Sequence, residues 1–235
     1  MTNRSVQEEF YQIFMQHSPD GYWYSTLREP MPTRLAEDDQ IDHLFNHATI
    51  ADCNLAFAKM YGFSRPEELL NTPLLLFLAR EEEMNLQTLQ SFIRAGYTMR
   101  SAITHESDRH GKPRWFKNYV HGTVENNLLV SIWGHQTDIT EEHRKENDRT
   151  AFLSALSTQQ RLILFLLLDN YSLKEAAKLL NITYNTAHTH CYRILKHHAI
   201  ADIASLIHYA RQLGITTTPA WPNTGVGSKV IAPRA

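Results

Sequence analysis

Apolar residues are arranged differently in the two halves of this sequence. The first half contains short stretches rich in aromatic and β-branched residues, which is typical of strands. They are Gly21–Leu27, Tyr97–Thr104, Trp115–Val120 and Leu128–Trp133. Helical patterns occur at Val6–Gln16, Asn54–Tyr61 and Glu81–Arg94. The pattern therefore predicts an α+β domain with an antiparallel sheet and covering helices.

The second half has a purely helical pattern. Every side chain from residue 141 to 150 (EEHRKENDRT) is polar, which is typical of a solvated helix or a linker. Strand-like stretches no longer occur after this segment. The apolar spacing predicts four helices, at Ser157–Leu168, Leu173–Leu180, Tyr184–His198 and Ile203–Leu213. We therefore expect a second, all-helical domain after a linker helix.

Capping residues mark where the middle helices of this second domain begin. Ser172 and Glu175, three residues apart, form a capping box at the start of one helix. Thr183 can cap the next helix. The intervening Leu180–Thr183 leaves room only for a tight turn, in which Asn181 tolerates the left-handed conformation. Two helices joined so closely must cross steeply, which predicts a helix-turn-helix motif.

The helix after the turn has one polar side and one largely apolar side. At about 100° per residue, the largely apolar side carries Tyr184, Ala187, Cys191, Ile194, Leu195 and His198. The opposite side is polar or amphipathic and carries Asn185, His188, Thr189, Tyr192, Arg193 and Lys196. One side should therefore pack on the domain, while the other meets solvent or a ligand.

Four histidines and a cysteine between residues 181 and 198 raise the alternative of a metal site. Two ligands on one helix converge on an ion only at a spacing of three or four residues. Only His188 and Cys191 have this spacing, and Cys191 falls on the apolar side. We therefore expect no metal at this helix.

The polar side has the chemistry of a DNA-reading surface. Arg193 and Lys196 can neutralise phosphates, and Tyr192 can contact sugar or phosphate. Three further side chains in the first turns could reach base edges: Asn185, His188 and Thr189. The alternative is an ordinary solvated helix surface that binds nothing.

The composition shows that charge is distributed unequally between the two halves of the chain, and it indicates a cellular compartment. The chain has 235 residues, of which 43% are hydrophobic, and only two cysteines, which suits a reducing compartment. Residues 1–150 carry 15 basic and 22 acidic side chains, whereas residues 151–215 carry six and three. A mildly basic second domain fits a different partner from that of an acidic first domain. No apolar run approaches the ~20 residues of a membrane span, and no secretory signal is evident, so we expect a cytoplasmic protein.

The segment Leu156–Ile200 resembles the DNA-binding domain of LuxR-type transcriptional regulators. The resemblance lies in Ser172–Ala177 (SLKEAA) and Thr186–His190 (TAHTH), at matching spacing. It implies DNA contacts by His188, Thr189 and Tyr192, with Thr186 and Lys174 near the DNA backbone. His188 stands where this family usually has lysine, which implies binding that depends on dimerisation and low salt.

The first half resembles a PAS domain from about Glu8 to Arg144. The matching residues lie in Ala51–Pro73, which contains Tyr61-Gly62-Phe63-Ser64, and in an Asp-Ile-Thr run at 138–140. His110–Phe116 (HGKPRWF) fits the hairpin between two late strands. Such a fold implies a small pocket between sheet and helices.

Four aromatic side chains are candidates for the wall of this pocket: Phe57, Tyr61, Trp115 and Trp133. The alternative is that they only fill the core. The sequence requires no cofactor, and we expect neither haem nor flavin. Glu81–Arg94 offers no histidine as a haem ligand, and Cys53 lies outside any flavin-binding motif. A small organic ligand and a protein partner both remain open.

These observations predict five segments. They are an N-terminal helix (1–18), a PAS-like sensor domain (19–140), a linker helix (141–153), a LuxR-type helix-turn-helix domain (154–214) and a disordered tail (215–235).

The function we expect is that of a sequence-specific transcriptional regulator and homodimer that binds double-stranded DNA, with no membrane partner. One alternative is a dimerisation and interaction module that does not bind DNA. The other is a metal-dependent enzyme built on His105–His110 (HESDRH). We interpret that run as a solvated loop and expect neither catalytic residues nor a metal.

Overall fold

The computed structural model describes residues 6–216. The chain divides into two compact units, one ending at His143 and the other beginning at Arg144. This division falls within the segment predicted as a linker helix.

The first unit is built on a five-stranded antiparallel sheet in the order β2-β1-β5-β4-β3. The strands are β1 (Gly21–Pro32), β2 (Ala48–Cys53), β3 (Thr98–Ser107), β4 (Pro113–Glu125) and β5 (Leu128–Asp138). The first strand pairs with the last, and β3, β4 and β5 follow one another as hairpins. This sheet confirms the predicted α+β, PAS-like fold.

Helices of the first unit fill the long connection between β2 and β3 and flank the other strands. They are α1 (Val6–His17), α2 (Glu37–His47), α3 (Leu55–Met60), a 3₁₀ helix (Pro66–Glu68) and α4 (Glu83–Arg94). Apolar side chains from α2, α3 and α4 pack with one face of the sheet into a single core. Its buried centre includes Met31, Leu44, Ile50, Phe57, Phe116 and Leu129.

The sequence pattern did not reveal α2 or β2. Helix α2 has three acidic residues in its first turn and only a few apolar side chains, so its periodicity is weak. Tertiary contacts hold it instead. The buried Gln40 donates to the carbonyl of Leu35 (2.8 Å) and accepts from the hydroxyl of Tyr97 (2.7 Å).

The second unit consists of helices. Helix α5 (Thr140–Ser154) enters it from the last strand and is followed by α6 (Thr158–Leu168), α7 (Leu173–Leu179), α8 (Tyr184–His197) and α9 (Ile203–Gln212). The ends of α6 to α9 lie within one residue of the predicted ends.

A separate apolar core holds these helices together. It includes Phe152, Ile163, Leu164, Ile194 and Leu206. Ile215 is also buried in this core, so the predicted tail is corrected at its first residue. The rest of that segment, residues 217–235, lies outside the described part of the chain.

Among residues 6–216, no helix combines the length and the apolar character that a membrane span needs.

Candidate nucleic-acid interface and sensor cavity

Helices α7 and α8 form the predicted helix-turn-helix. In the capping box, Ser172 Oγ accepts from the backbone N–H of Glu175 (3.3 Å), and the Glu175 carboxylate accepts from the backbone N–H of Ser172 (2.8 Å). Thr183 caps α8 by accepting from the backbone N–H of Thr186 (3.1 Å). Asn181 in the turn has a φ of 53°, the left-handed conformation expected for it.

The packed side of α8 is a stripe of three small or apolar residues. Ala187, Cys191 and Ile194 are at most 1% exposed, and their spacing places them on one side of the helix. They belong to the core of the second unit. Burial raises the pKa of the Cys191 thiol, which suits an inert core cysteine.

The opposite side of this helix-turn-helix is exposed. Every residue predicted to contact DNA is solvent-accessible: Lys174, Asn185, Thr186, His188, Thr189, Tyr192, Arg193 and Lys196. Tyr192 is 56% exposed, and Tyr184 at the start of the same helix is 52% exposed. We define this group of eight side chains as the polar arc.

Two hydroxyl groups in the polar arc already have partners within the helix. Thr189 Oγ1 donates to the carbonyl of Asn185 (2.8 Å), and Thr186 Oγ1 is hydrogen-bonded to Thr183 Oγ1 (2.8 Å). Thr189 therefore presents its methyl group and its oxygen lone pairs to an approaching ligand, but not a proton.

The histidines at the end of α8 lie apart from the polar arc. His198 ends the helix and packs against the ring of Phe152 (4.6 Å between centroids). Burial lowers the pKa of His198, and the neighbouring His197 lowers it further. In the described range, no three His, Cys, Asp or Glu side chains are placed to hold a metal ion.

A cavity of about 80 Å³ lies between the sheet and the helices of the first unit. Its walls are mostly apolar side chains from β1, α4, β4 and the segment before α4. Of the four predicted wall residues, Phe57 and Tyr61 line it. Trp115 and Trp133 do not, because strand alternation turns them to the opposite face of the sheet from their inward neighbours Phe116 and Ile132.

The polar end of the cavity was missed by the sequence interpretation. Glu106, Thr104, Asn118 and Gln136 line it, and all four are buried. Residues 105–110 were assigned to a solvated loop, but β3 extends to Ser107 and carries Glu106 into the cavity. The available signal was alternation: Thr104 and Glu106 are two residues apart on one strand and therefore share a face.

Trp115 has a different place, at the junction between the sheet and α5. Its backbone N–H donates to Thr140 Oγ1 (2.9 Å) and its carbonyl accepts from the backbone N–H of Ile139 (2.9 Å). Its ring stacks on His143 with 3.6 Å between centroids and on His105 with 4.6 Å. The first turn of α5 is thereby fixed to β4.

Comparison with protein families identifies the helix-turn-helix. Residues 150–197 match the family model for sigma-70, region 4, which is of the helix-turn-helix DNA-binding type. No curated protein sequence matches the chain. The helix-turn-helix prediction is thereby confirmed, while the narrower LuxR-type assignment stays a prediction.

Solved structures give distant likenesses. VqmA bound to DPO is 15% identical and has a TM-score of 0.35; the likeness covers 92% of this chain and 91% of that one. A VqmA–ligand–DNA complex from Vibrio cholera is 14% identical with a TM-score of 0.38, covering 89% of this chain and 90% of that one. A PAS domain from Colwellia psychrerythraea is 15% identical with a TM-score of 0.42, covering 57% and 97%. None of these likenesses is close enough to assign a ligand.

The sheet order and the family match together define two kinds of unit in this chain. A PAS-like α+β unit is followed by a helix-turn-helix unit of the DNA-binding type.

Proposed function

We propose that the protein is a sequence-specific transcriptional regulator in which the PAS-like unit controls DNA reading by a LuxR-type helix-turn-helix. The observation that carries the proposal is the build of α8. A buried stripe fixes one side of the helix, and the seven residues of the polar arc that lie on α8 are exposed, directly after a capped helix and a four-residue turn.

Each part of the polar arc has a distinct proposed role. Arg193 and Lys196 neutralise phosphates, and Tyr192 contacts the sugar–phosphate backbone. Asn185, His188 and Thr189 reach base edges in the major groove. Because the Thr189 proton is held by the carbonyl of Asn185, this threonine would accept from a base amino group or contact a thymine methyl.

We propose that a homodimer binds a roughly palindromic site, with its two α8 helices in successive major grooves about 34 Å apart. The sequence suggested α9 as the dimer surface. Leu206 and Ala210 of α9 are buried in the core of the second unit, so Ile203, Ile207 and Tyr209 are the apolar side chains left to contribute.

In this proposal, the cavity of the first unit is the sensor site. We propose that a small organic molecule occupying it changes the first turn of α5, which is fixed to β4 through Trp115. A cytoplasmic location and the absence of catalytic activity remain expectations from the sequence.

Two observations favour a second candidate, an interaction module that does not read DNA. Residues 151–215 have an excess of only three basic side chains, and His188 replaces the usual lysine of the LuxR-type resemblance. Both features weaken the attraction to phosphate.

Selection from a genomic DNA fragment library at two salt concentrations separates the two candidates. We expect the wild-type protein to enrich a palindromic motif and the double variant His188→Ala/Thr189→Ala to lose it. The matched control is Thr158→Ala/His208→Ala, which alters the same residue types at exposed positions outside the polar arc. Enrichment by the control but not by the first variant supports the proposal. A folded dimer that enriches no motif at either salt concentration would support the interaction module.

A further inference from the structure

Glu106 is a buried carboxylate that faces the sensor cavity. Its side chain projects from β3 into the polar end of the cavity, and the residue is 8% exposed. The proposed DNA-reading function does not use it. Burial of an ionised carboxylate is costly unless another charge or several hydrogen bonds compensate.

Two hydrogen-bond relays converge on this carboxylate. In one, Gln136 Nε2 donates to the Tyr61 hydroxyl (3.1 Å), which donates to Glu106 Oε2 (2.5 Å). In the other, Asn118 Nδ2 donates to Thr104 Oγ1 (2.8 Å), which donates to Glu106 Oε1 (2.7 Å). Both oxygens therefore accept a hydroxyl proton at the short distances typical of a charged acceptor. The site is arranged for an ionised carboxylate.

Within residues 6–216, no basic side chain lines this end of the cavity. Among the described residues that line it, none is a lysine, an arginine or a histidine. The adjacent His105 lies on the other face of β3, where its Nδ1 is 2.7 Å from a Glu82 oxygen. Burial accordingly raises the pKa of Glu106, although the hydrogen bonds from Tyr61 and Thr104 and the nearby His105 act in the opposite direction.

The hydrogen bonds from Tyr61 and Thr104 stabilise the ionised form of Glu106, whereas burial of the carboxylate disfavours that form. These two effects conflict. A positive charge inside the cavity would resolve the conflict, because it would compensate the carboxylate where the described wall residues include no basic side chain. The rest of the wall, which includes Leu89, Phe92 and Val120, is mostly apolar and suits a hydrocarbon or ring body.

We propose that the sensor cavity binds a small organic cation, whose protonated nitrogen lies against Glu106 while its apolar body packs among Leu89, Phe92 and Val120. The chemical class is a compact primary amine, amidine or protonated nitrogen heterocycle. This inference rests on the proposed sensor function and names its ligand class. Anions are excluded by repulsion from Glu106, and neutral molecules of the same shape bind more weakly because they leave the carboxylate uncompensated.

Three probes of nearly the same shape test the charge requirement. Benzylamine (a cation at neutral pH), benzyl alcohol and benzoate are titrated into the full-length protein by isothermal titration calorimetry. We expect benzylamine to bind about tenfold or more tightly than benzyl alcohol, and benzoate not to bind. Equal or tighter binding of either benzyl alcohol or benzoate would overturn the proposal. So would the absence of saturable benzylamine binding up to about 10 mM.

The variant Glu106→Gln tests the residue. Its amide can still accept from Tyr61, so the relays keep most of their contacts, while the charge is removed. Benzylamine affinity should fall about tenfold or more, with benzyl alcohol affinity unchanged. Glu125→Gln, an exposed position at the end of β4, is the matched control and should bind benzylamine like the wild type. A Glu106→Gln variant that loses both probes equally would instead identify Glu106 as a neutral hydrogen-bond donor and refute the cation.

Wild-type selectivity among the three probes decides the question even if Glu106→Gln does not fold. DNA selection with the same wild-type preparation is measured separately. A protein that enriches a DNA motif but does not prefer benzylamine retains the proposed function and loses only this inference.

Discussion

A single buried asparagine joins several segments of the PAS-like unit. Asn54 Oδ1 caps α3 by accepting from the backbone N–H of Phe57 (2.9 Å), and it also accepts from the backbone N–H of Tyr22 (3.0 Å). Its Nδ2 donates to the carbonyls of Asp20 (2.9 Å) and Met15 (3.1 Å). All four hydrogen-bonding positions of the amide are therefore used.

Replacing this asparagine should destabilise the unit strongly. Asn54→Ala removes a helix cap and leaves buried backbone groups without partners, so we expect a loss of about 3 kcal/mol in the free energy of unfolding. Urea unfolding followed by tryptophan fluorescence measures it, because Trp23, Trp115 and Trp133 all lie in the first unit. The exposed Gln87→Ala should change stability by less than about 0.5 kcal/mol. A comparably small effect of Asn54→Ala would contradict this account.

A buried aspartate gives the first unit a specific sensitivity to acid. Asp108 accepts from the backbone N–H groups of His110 (2.9 Å) and Lys112 (3.0 Å) and from Arg114 Nη2 (3.2 Å). Burial raises the pKa of Asp108, but the hydrogen bonds and the Arg114 charge outweigh burial, so the pKa lies below its ordinary value. The folded state therefore favours the ionised form more than the unfolded state does.

The contribution of Asp108 to the stability of the folded state should therefore decrease as the pH falls. The contribution of Asp108 is complete above the ordinary aspartate pKa of about 4 and is lost as the pH falls through the lower pKa of the folded state. We expect Asp108→Asn to lower stability at pH 7 by about 1–2 kcal/mol and to flatten the decline of stability between about pH 5 and pH 3. Urea unfolding across this pH range measures both effects. Asp52→Asn, at an exposed position, should leave the slope unchanged.

At the scale of elements, the helices that were predicted correctly are those whose ends are marked by local sequence signals. Helices α6 to α9 were predicted within one residue because side-chain caps such as Ser172 and Thr183 mark their starts. Helix α2 was missed because its position depends on contacts that are distant in sequence, such as the hydrogen bond between Gln40 and Tyr97.

Local sequence signals also predicted one of the two candidate sites and missed part of the other. Six of the eight residues of the polar arc followed from the helical period, since one buried stripe fixes the direction of the other side chains of α8. Lys174 and Thr186 came from the LuxR-type resemblance. The cavity depended on which face of each strand is inward. Choosing aromatic residues without assigning faces placed Trp115 and Trp133 wrongly and overlooked Glu106.

The proposed phosphate contact of Lys196 predicts how DNA affinity depends on salt concentration. If Lys196 contacts a DNA phosphate, Lys196→Ala should weaken binding to all sequences and reduce the slope of log affinity against log salt by about one. Fluorescence anisotropy with a labelled operator at several salt concentrations measures this slope. Lys59→Ala removes the same charge from an exposed position on α3 and should leave the slope unchanged. An equal effect of both variants would indicate a non-specific charge effect.

At the scale of the whole molecule, α5 is the one covalent connection between the two units. Its first turn is fixed to β4 through Trp115, and its exposed middle carries ion pairs between Arg144 and Asp148 (3.2 Å) and between Arg149 and Glu146 (2.6 Å). Its last turn contributes the buried Phe152 to the second core. Each end of α5 therefore packs within its own unit.

If α5, which is continuous from Thr140 to Ser154, transmits the proposed signal as one helix, DNA binding should depend on its rotation. Seven residues inserted after Lys145 add about two turns and return the helix to within about 20° of its phase, whereas two residues rotate it by about 200°. If the proposed dimer presents both α8 helices through α5, the seven-residue insertion should bind a palindromic operator nearly as tightly as the wild type. The two-residue insertion should bind about a hundredfold more weakly, because only one half-site can be engaged at a time.

Binding to a single half-site supplies the control, since it needs only one α8 and should be equal for both insertions. Anisotropy titrations with full operators and half-site operators measure the difference. Equal affinity of the two insertions for the full operator would mean that α5 acts as a flexible tether. In that case a signal from the cavity could reach the DNA-reading helices only by another route, such as a change in dimerisation.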